Sequence, residues 1–136
     1  MKEKNCSFLS AVPQFSVSDI VRTTEYYRDV LGFQIVGYWN GEQVTAAPDK
    51  HTVFAIVRRD QVEVFFNATR GDSVRSGRAE GAYDVYFRVT GIDALAQEFS
   101  RRGANILEEP SKRSYGQREL IVEDCNRLIL AFAELL

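Results

Sequence analysis

Histidine and cysteine are almost missing from this 136-residue chain, which holds one histidine, His51, and two cysteines, Cys6 and Cys125. Two isolated thiols and one imidazole exclude a disulfide framework and a Cys/His zinc site, which needs about four such donors. Both cysteines are expected as free thiols in a reducing compartment, and the expected location is cytoplasmic. Net charge is nearly absent at −2, with 26% charged residues, so no field of one sign points to nucleic acid or an anionic membrane as partner. No apolar run approaches the ~20 residues that span a bilayer. The opening MKEKNCSFLSAVPQF has two lysines, but Ser10 and Pro13 break its apolar stretch, and no signal peptide is expected. Nucleophile elbow, phosphate-cradling glycine loop and dinucleotide fingerprint are all absent, and GDSVRSGR at 71–78 lacks the strand-to-helix context of a phosphate site.

What is present is an ordinary globular composition, 45% apolar, in a length that suits one domain with a substantial core. An internal repeat organises it. Phe15-Ser-Val-Ser-Asp-Ile20 aligns with Phe87-Arg-Val-Thr-Gly-Ile92, Gly32-Phe-Gln-Ile35 with Gly103-Ala-Asn-Ile106, and Val62-Glu-Val-Phe65 with Ile129-Leu-Ala-Phe132. Each copy opens with period-two alternation: Phe15 and Val17 against Gln14 and Ser16, then Val85, Phe87 and Val89 against Asp84, Tyr86 and Arg88. A helix follows each strand. Ser18 is the expected cap of the first, with Ile20, Thr24, Tyr27 and Leu31 on its apolar stripe and Gly32 at its end. Thr90 is the expected cap of the second, with Asp93 in the capping-box position, Ile92, Leu95, Ala96 and Phe99 on the stripe, and Gly103 at the end.

Three further strands are expected in each copy, near Phe33–Trp39, Thr52–Arg59 and Gln61–Asn67, then near Asn105–Glu108, Gln117–Glu123 and Arg127–Ala133. The stretch 68–80 reads as an exposed linker. The predicted fold is thus a single α+β domain over 1–136: module one at about 8–67, module two at about 81–136. Two βαβββ modules form curved, mostly antiparallel sheets around a cup, with helices on the outer side.

These residues carry a family resemblance over roughly Val12 to Glu134. VSDIVRTTEYYRDVLGFQIV resembles the opening signature of the vicinal oxygen chelate superfamily: strand, V-x-D turn, helix with an aromatic pair, L-G-F. YGQRELIVEDCNRLILAF resembles the closing signature of its bleomycin-resistance-like branch, usually W-G-x-R-E-F followed by D-P-x-G-N and an apolar strand. Here Tyr115 stands for the tryptophan, and Asp124-Cys125-Asn126-Arg127 departs from the usual turn. The resemblance implies paired modules whose sheets form a cup, commonly completed by homodimerisation.

It also implies a test for a metal. Superfamily enzymes hold a divalent ion through donors on the first and fourth strands of each module, and the chemistry needs oxygen or nitrogen lone pairs with open positions. Carried over, those positions fall on Val12, Glu63, Asp84 and Leu130. Two are aliphatic, which leaves Glu63 and Asp84 as a partial pair. A slip of one or two residues would bring in Gln14. His51 lies in a polar loop away from these positions and reads as a solvated histidine. No cofactor is expected, with a divalent metal as the alternative.

If Phe15, Val17, Phe87 and Val89 meet the helices, Gln14, Asp84, Tyr86 and Arg88 face the cup. Glu63, Phe65 and Glu119 join them, as do Leu128, Leu130 and Phe132 if Ile129, Ala131 and Ala133 turn outward. Trp39 adds a stacking surface. The candidate ligand-binding set is therefore Gln14, Trp39, Glu63, Phe65, Asp84, Tyr86, Arg88, Glu119 and Phe132. Such a lining suits an amphipathic or aromatic small molecule. The favoured reading is a metal-free, homodimeric small-molecule-binding protein that sequesters its ligand. The alternative is a metal-dependent lyase, isomerase or dioxygenase with an atypical ligand set. A cofactor-free enzyme using Glu63 or Asp84 as base is a third.

Overall fold

The computed structural model describes residues 5–69 and 82–136. The linker expected at 68–80 falls almost wholly outside them, with Ala68 closing a strand. Module one contains β1 (Gln14–Val17), α1 (Ile20–Asp29), β2 (Gln34–Trp39), β3 (Val44–Thr45), β4 (Phe54–Arg59) and β5 (Val62–Ala68). Module two contains β6 (Val85–Arg88), α2 (Ile92–Arg101), β7 (Asn105–Lys112), β8 (Gln117–Glu123) and β9 (Ile129–Leu135). The sheets run β1-β5-β4-β2-β3 and β6-β9-β8-β7, open and mixed: β1 pairs parallel with β5, β6 parallel with β9, and the other pairs are antiparallel. The α+β class and the paired arrangement agree with the sequence. The short β3 is an addition, made where Asn40 turns the chain back by accepting the Glu42 and Gln43 amides on its Oδ1.

Alternation decides what each sheet buries. Val17, Val64, Phe66, Val57 and Ala55 turn toward α1, where Ile20 and Tyr27, with Leu31 just past the helix end, meet them. Phe87, Leu120, Val122, Leu130 and Phe132 turn toward α2, where Ile92, Ala96 and Phe99 meet them. Both layers merge into one core. Phe33 lies 6.3 Å from Phe87, ring centre to ring centre, Tyr27 Oη donates to Asp124 Oδ2 at 2.6 Å, and Arg59 makes two 2.8 Å bonds to Glu98. Because the modules join through their helix sides, the helix-free face of each sheet is turned away from that core. Among the described residues, no helix is long and apolar enough to cross a membrane.

Two caps differ from expectation. Asp19, not Ser18, caps α1, accepting the Arg22 amide at 3.0 Å. At α2 the cap position is Gly91 in the left-handed region (φ 72), with no capping side chain of its own. Glu134 at the end of β9 takes the Gly91 and Ile92 amides instead, both at 3.0 Å. A carboxylate at a helix N-terminus satisfies orphan donors and meets the positive end of the dipole. This frees Thr90 from capping, and Asp93 pairs with Arg118.

Candidate functional site: the helix-free sheet faces

On the first sheet, cross-strand register places Gln14 beside Phe65, Phe65 beside Ile56, Glu63 beside Arg58, and Trp39 beside Phe54. All lie on the face opposite α1, because their neighbours Val64, Phe66, Ala55 and Val57 fill the core. Phe54 and Phe65 meet edge to face with centroids 5.3 Å apart. Trp39, Val44, Phe54 and Ile56 border a shallow apolar recess of about 340 Å³. Arg58 holds Glu63 through two bonds to one carboxylate oxygen, at 2.8 and 3.2 Å. Tyr38, next to Trp39, points the other way and shares a 2.8 Å hydrogen bond with Thr24 in the core.

The second sheet carries a denser arrangement. Glu119 on β8 has a fully buried side chain. Its Oε1 accepts from Arg113 Nε at 2.9 Å and Tyr83 Oη at 3.2 Å, and its Oε2 from Tyr115 Oη at 2.5 Å and Tyr86 Oη at 2.6 Å. Arg113 continues to Glu108 and to Ser111 Oγ. Burial opposes ionisation of Glu119, but the bonds from Tyr115, Tyr86, Arg113 and Tyr83 outweigh it and hold the carboxyl below its ordinary value. The same contacts act in reverse on Tyr86, which desolvation and then its bond to Glu119 push up to about 12. Tyr86 reaches Glu119 across β9, where Ala131 and Ala133 are the intervening residues on this face.

Sequence reasoning missed Tyr83, Arg113, Glu108, Phe54 and Ile56. Tyr115 stands for the tryptophan of the closing signature, and its position four residues before Glu119 is the sequence signal for its place in the cluster.

Phe132 requires a correction. It faces α2, stacked on Phe87 (4.9 Å) and edge-on to Phe99 (5.1 Å), and is only 4% exposed. Leu128 and Leu130 are buried in the same core. Parallel pairing sets Phe132 opposite Phe87 and Leu130 opposite Val85, so β9 is one residue out of the expected register, and Ala131 and Ala133, not Leu130 and Phe132, lie on the helix-free face. Phe132 instead helps wall a groove of about 570 Å³ between the modules, together with Leu31, Phe33, Phe87 and Phe99. Those side chains are at most 6% exposed and serve the core.

The donors for a divalent metal do not assemble. Leu130 is buried among the helix-facing residues, and Ala131, its neighbour on the open face, offers no lone pair. Glu63 is engaged by Arg58, and Asp84 accepts the Ile129 amide at 2.8 Å. His51 sits exposed in the β3–β4 loop. Among the described residues, no group of three or more His, Cys, Asp or Glu could hold a metal ion. The residues do not fit the superfamily's metal.

Two open mixed sheets, each backed by a helix on one face, define the paired-βαβββ class of α+β proteins. The family model described as Glyoxalase/Bleomycin resistance protein/Dioxygenase superfamily matches residues 11–132, and the chain belongs to that superfamily. No curated protein matches at a significant level. Among solved structures, the chain is similar to a glyoxalase-related enzyme from Clostridium phytofermentans (TM-score 0.74, 15% identity, 98% of this chain and 100% of that one). It is also similar to TioX from Micromonospora sp. ML1 (0.69, 17%, 92% and 97%). A third is the bleomycin-binding protein from Streptomyces verticillus, complexed with copper(II)-bleomycin (0.68, 24%, 93% and 96%). At these identities the likeness establishes the fold.

Proposed function

We propose that this protein binds and sequesters an amphipathic, aromatic small molecule on its helix-free sheet faces, without a catalytic metal. The observation that carries the reading is the state of the carboxylates there. Glu119 is saturated by three phenols and a guanidinium, Glu63 is held by Arg58, and Asp84 is spent on a backbone amide. These carboxylates do not assemble into a donor group among the described residues, whereas Trp39, Phe54, Phe65, Tyr86 and Tyr115 offer stacking area. The bleomycin-binding protein of the same superfamily lends the reading support by analogy. The proposed protein is a homodimer: the two lined faces lie on separate sheets of one chain. A second copy facing each sheet would complete a cup around the ligand.

The test is thermal unfolding of the full chain against a panel of planar aromatic compounds, with and without EDTA. Expected is a melting temperature that climbs with ln[ligand], as for a ligand that binds only the folded state. EDTA should leave the shift unchanged, Tyr86→Ala should remove it, and light scattering should give a dimer at micromolar concentration. Destabilisation by EDTA that Mn²⁺, Zn²⁺ or Fe²⁺ reverses would overturn the metal-free reading and favour a metal-dependent lyase, isomerase or dioxygenase.

A further inference from the structure

The charges on the second sheet's helix-free face are unevenly engaged. Glu119 is buried behind three phenol rings, so a cationic ligand cannot reach it, and Arg113 neutralises it at 2.9 Å. Each of the three hydroxyls already donates its proton to that carboxylate, so none can donate to a ligand, and each ring is held by its oxygen. What remains for recognition is ring surface, with Tyr86 and Tyr115 both substantially exposed, and one guanidinium. Arg88 is exposed on β6 two residues beyond Tyr86 and on the same face, and among the described residues no hydrogen bond or ion pair engages it. It shares a register row with Ala133 and Glu119, and Ala133 is buried beneath the side chains around it.

From this arrangement we infer that the face of β6, β9 and β8 selects planar aromatic carboxylates. The ligand's ring lies against Tyr86 and Tyr115, and its carboxylate pairs with Arg88. Glu119 is the positioning residue that fixes the rings. The inference rests on the binding function proposed above and adds the charge class of the ligand. The spacing suits it: two residues along a strand put Arg88 about 7 Å from Tyr86, the reach from the far ring of a two-ring acid to its carboxyl group. A guanidinium also presents a planar donor fork that matches a carboxylate in two parallel bonds. Preorganised rings lose little freedom on binding, which is what the Glu119 clamp supplies.

The experiment is calorimetric titration of the full-length protein with 2-naphthoate, 2-naphthamide and 2-naphthylmethylammonium, one scaffold with three charges. Expected is naphthoate binding at least about tenfold tighter than the other two, the size of a charge-assisted pair. Arg88→Gln should cut naphthoate affinity at least about tenfold and remove its advantage over the amide, with circular dichroism of the free protein checking that the fold persists. Glu119→Gln should weaken all three, and the tyrosines that the Glu119 carboxylate holds above the ordinary phenol range should ionise at lower pH by phenolate absorbance. Equal affinities, a preference for the ammonium compound, or naphthoate binding that ignores Arg88→Gln would overturn the inference. If none of the three binds while other aromatic compounds do, carboxylate selection falls and the binding function stands. If nothing in the panel binds, both fall.

Discussion

Replacing Phe132 by alanine separates the two registers available to β9. In the structure the ring is 4% exposed, stacks on Phe87 at 4.9 Å and meets Phe99 edge-on at 5.1 Å. Truncating a core phenylalanine costs ~3–5 kcal/mol, and the two aromatic pairs place this site toward the upper end, at ~4–5 kcal/mol. With a urea dependence of ~2 kcal/mol per molar, the unfolding midpoint should fall by about 2 M. For a chain of this size the melting temperature should fall by roughly 10–20 °C. Phe65→Ala is the control, because that ring is half-buried on the helix-free face and touches Phe54. Its cost should be about 1 kcal/mol, with the larger effect on ligand binding. The assay is urea denaturation followed by circular dichroism and tryptophan fluorescence. A Phe132→Ala cost below about 1 kcal/mol, far under the core range, would refute the register and return Phe132 to the open face.

Three further outcomes follow. Phe99→Ala should cost ~3–5 kcal/mol by denaturant titration, since the ring is 1% exposed and anchors α2. Tyr27→Phe should cost ~1.5–3 kcal/mol by the same measurement, because it removes a buried 2.6 Å hydrogen bond to Asp124 that ties the modules together. Glu119 and Glu98 titrate below their ordinary values when folded, Glu98 chiefly through its bond from Arg59, so both stabilise the protein above the unfolded carboxylate value of ~4.3. That stability is lost as pH falls toward their folded values, and Glu119→Gln should flatten the acid limb of a melting-temperature profile below about pH 4; an unchanged limb would contradict it.

The repeat, the helices and most strand faces were legible because their alternation contrasts large apolar residues with polar ones. Phe15/Val17 against Gln14/Ser16 leaves no doubt about which side meets a helix, and the register agrees. Ile129-Leu-Ala-Phe-Ala is different: every residue is apolar, so periodicity carries no sign. The face is settled by the parallel partner, where Phe87 sits opposite Phe132. Size was the usable clue, since the two alanines recur on one side and the large Leu130 and Phe132 on the other. The α2 cap was illegible for another reason. Its acceptor, Glu134, lies more than forty residues downstream, and local capping signals at Thr90 and Asp93 say nothing about it.

The two alanines also explain why a buried carboxylate is tolerable on an otherwise open face. With larger side chains at 131 and 133, the Tyr86 hydroxyl could not cross β9 to Glu119, and the carboxylate would lose a donor while keeping its desolvation cost. The small residues therefore make the tyrosine cluster possible, and the cluster in turn covers them, leaving Ala131 and Ala133 buried. Core and open face are thus coupled through one strand. Leu130 and Phe132 fix the register by packing under α2, that register turns the alanines to the helix-free face, and the alanines set where the tyrosine rings lie. A substitution that enlarges Ala131 therefore displaces the tyrosine rings and, because Ala131 is buried beneath them, also destabilises the fold by about 1–3 kcal/mol, so recognition on this face and folding move together.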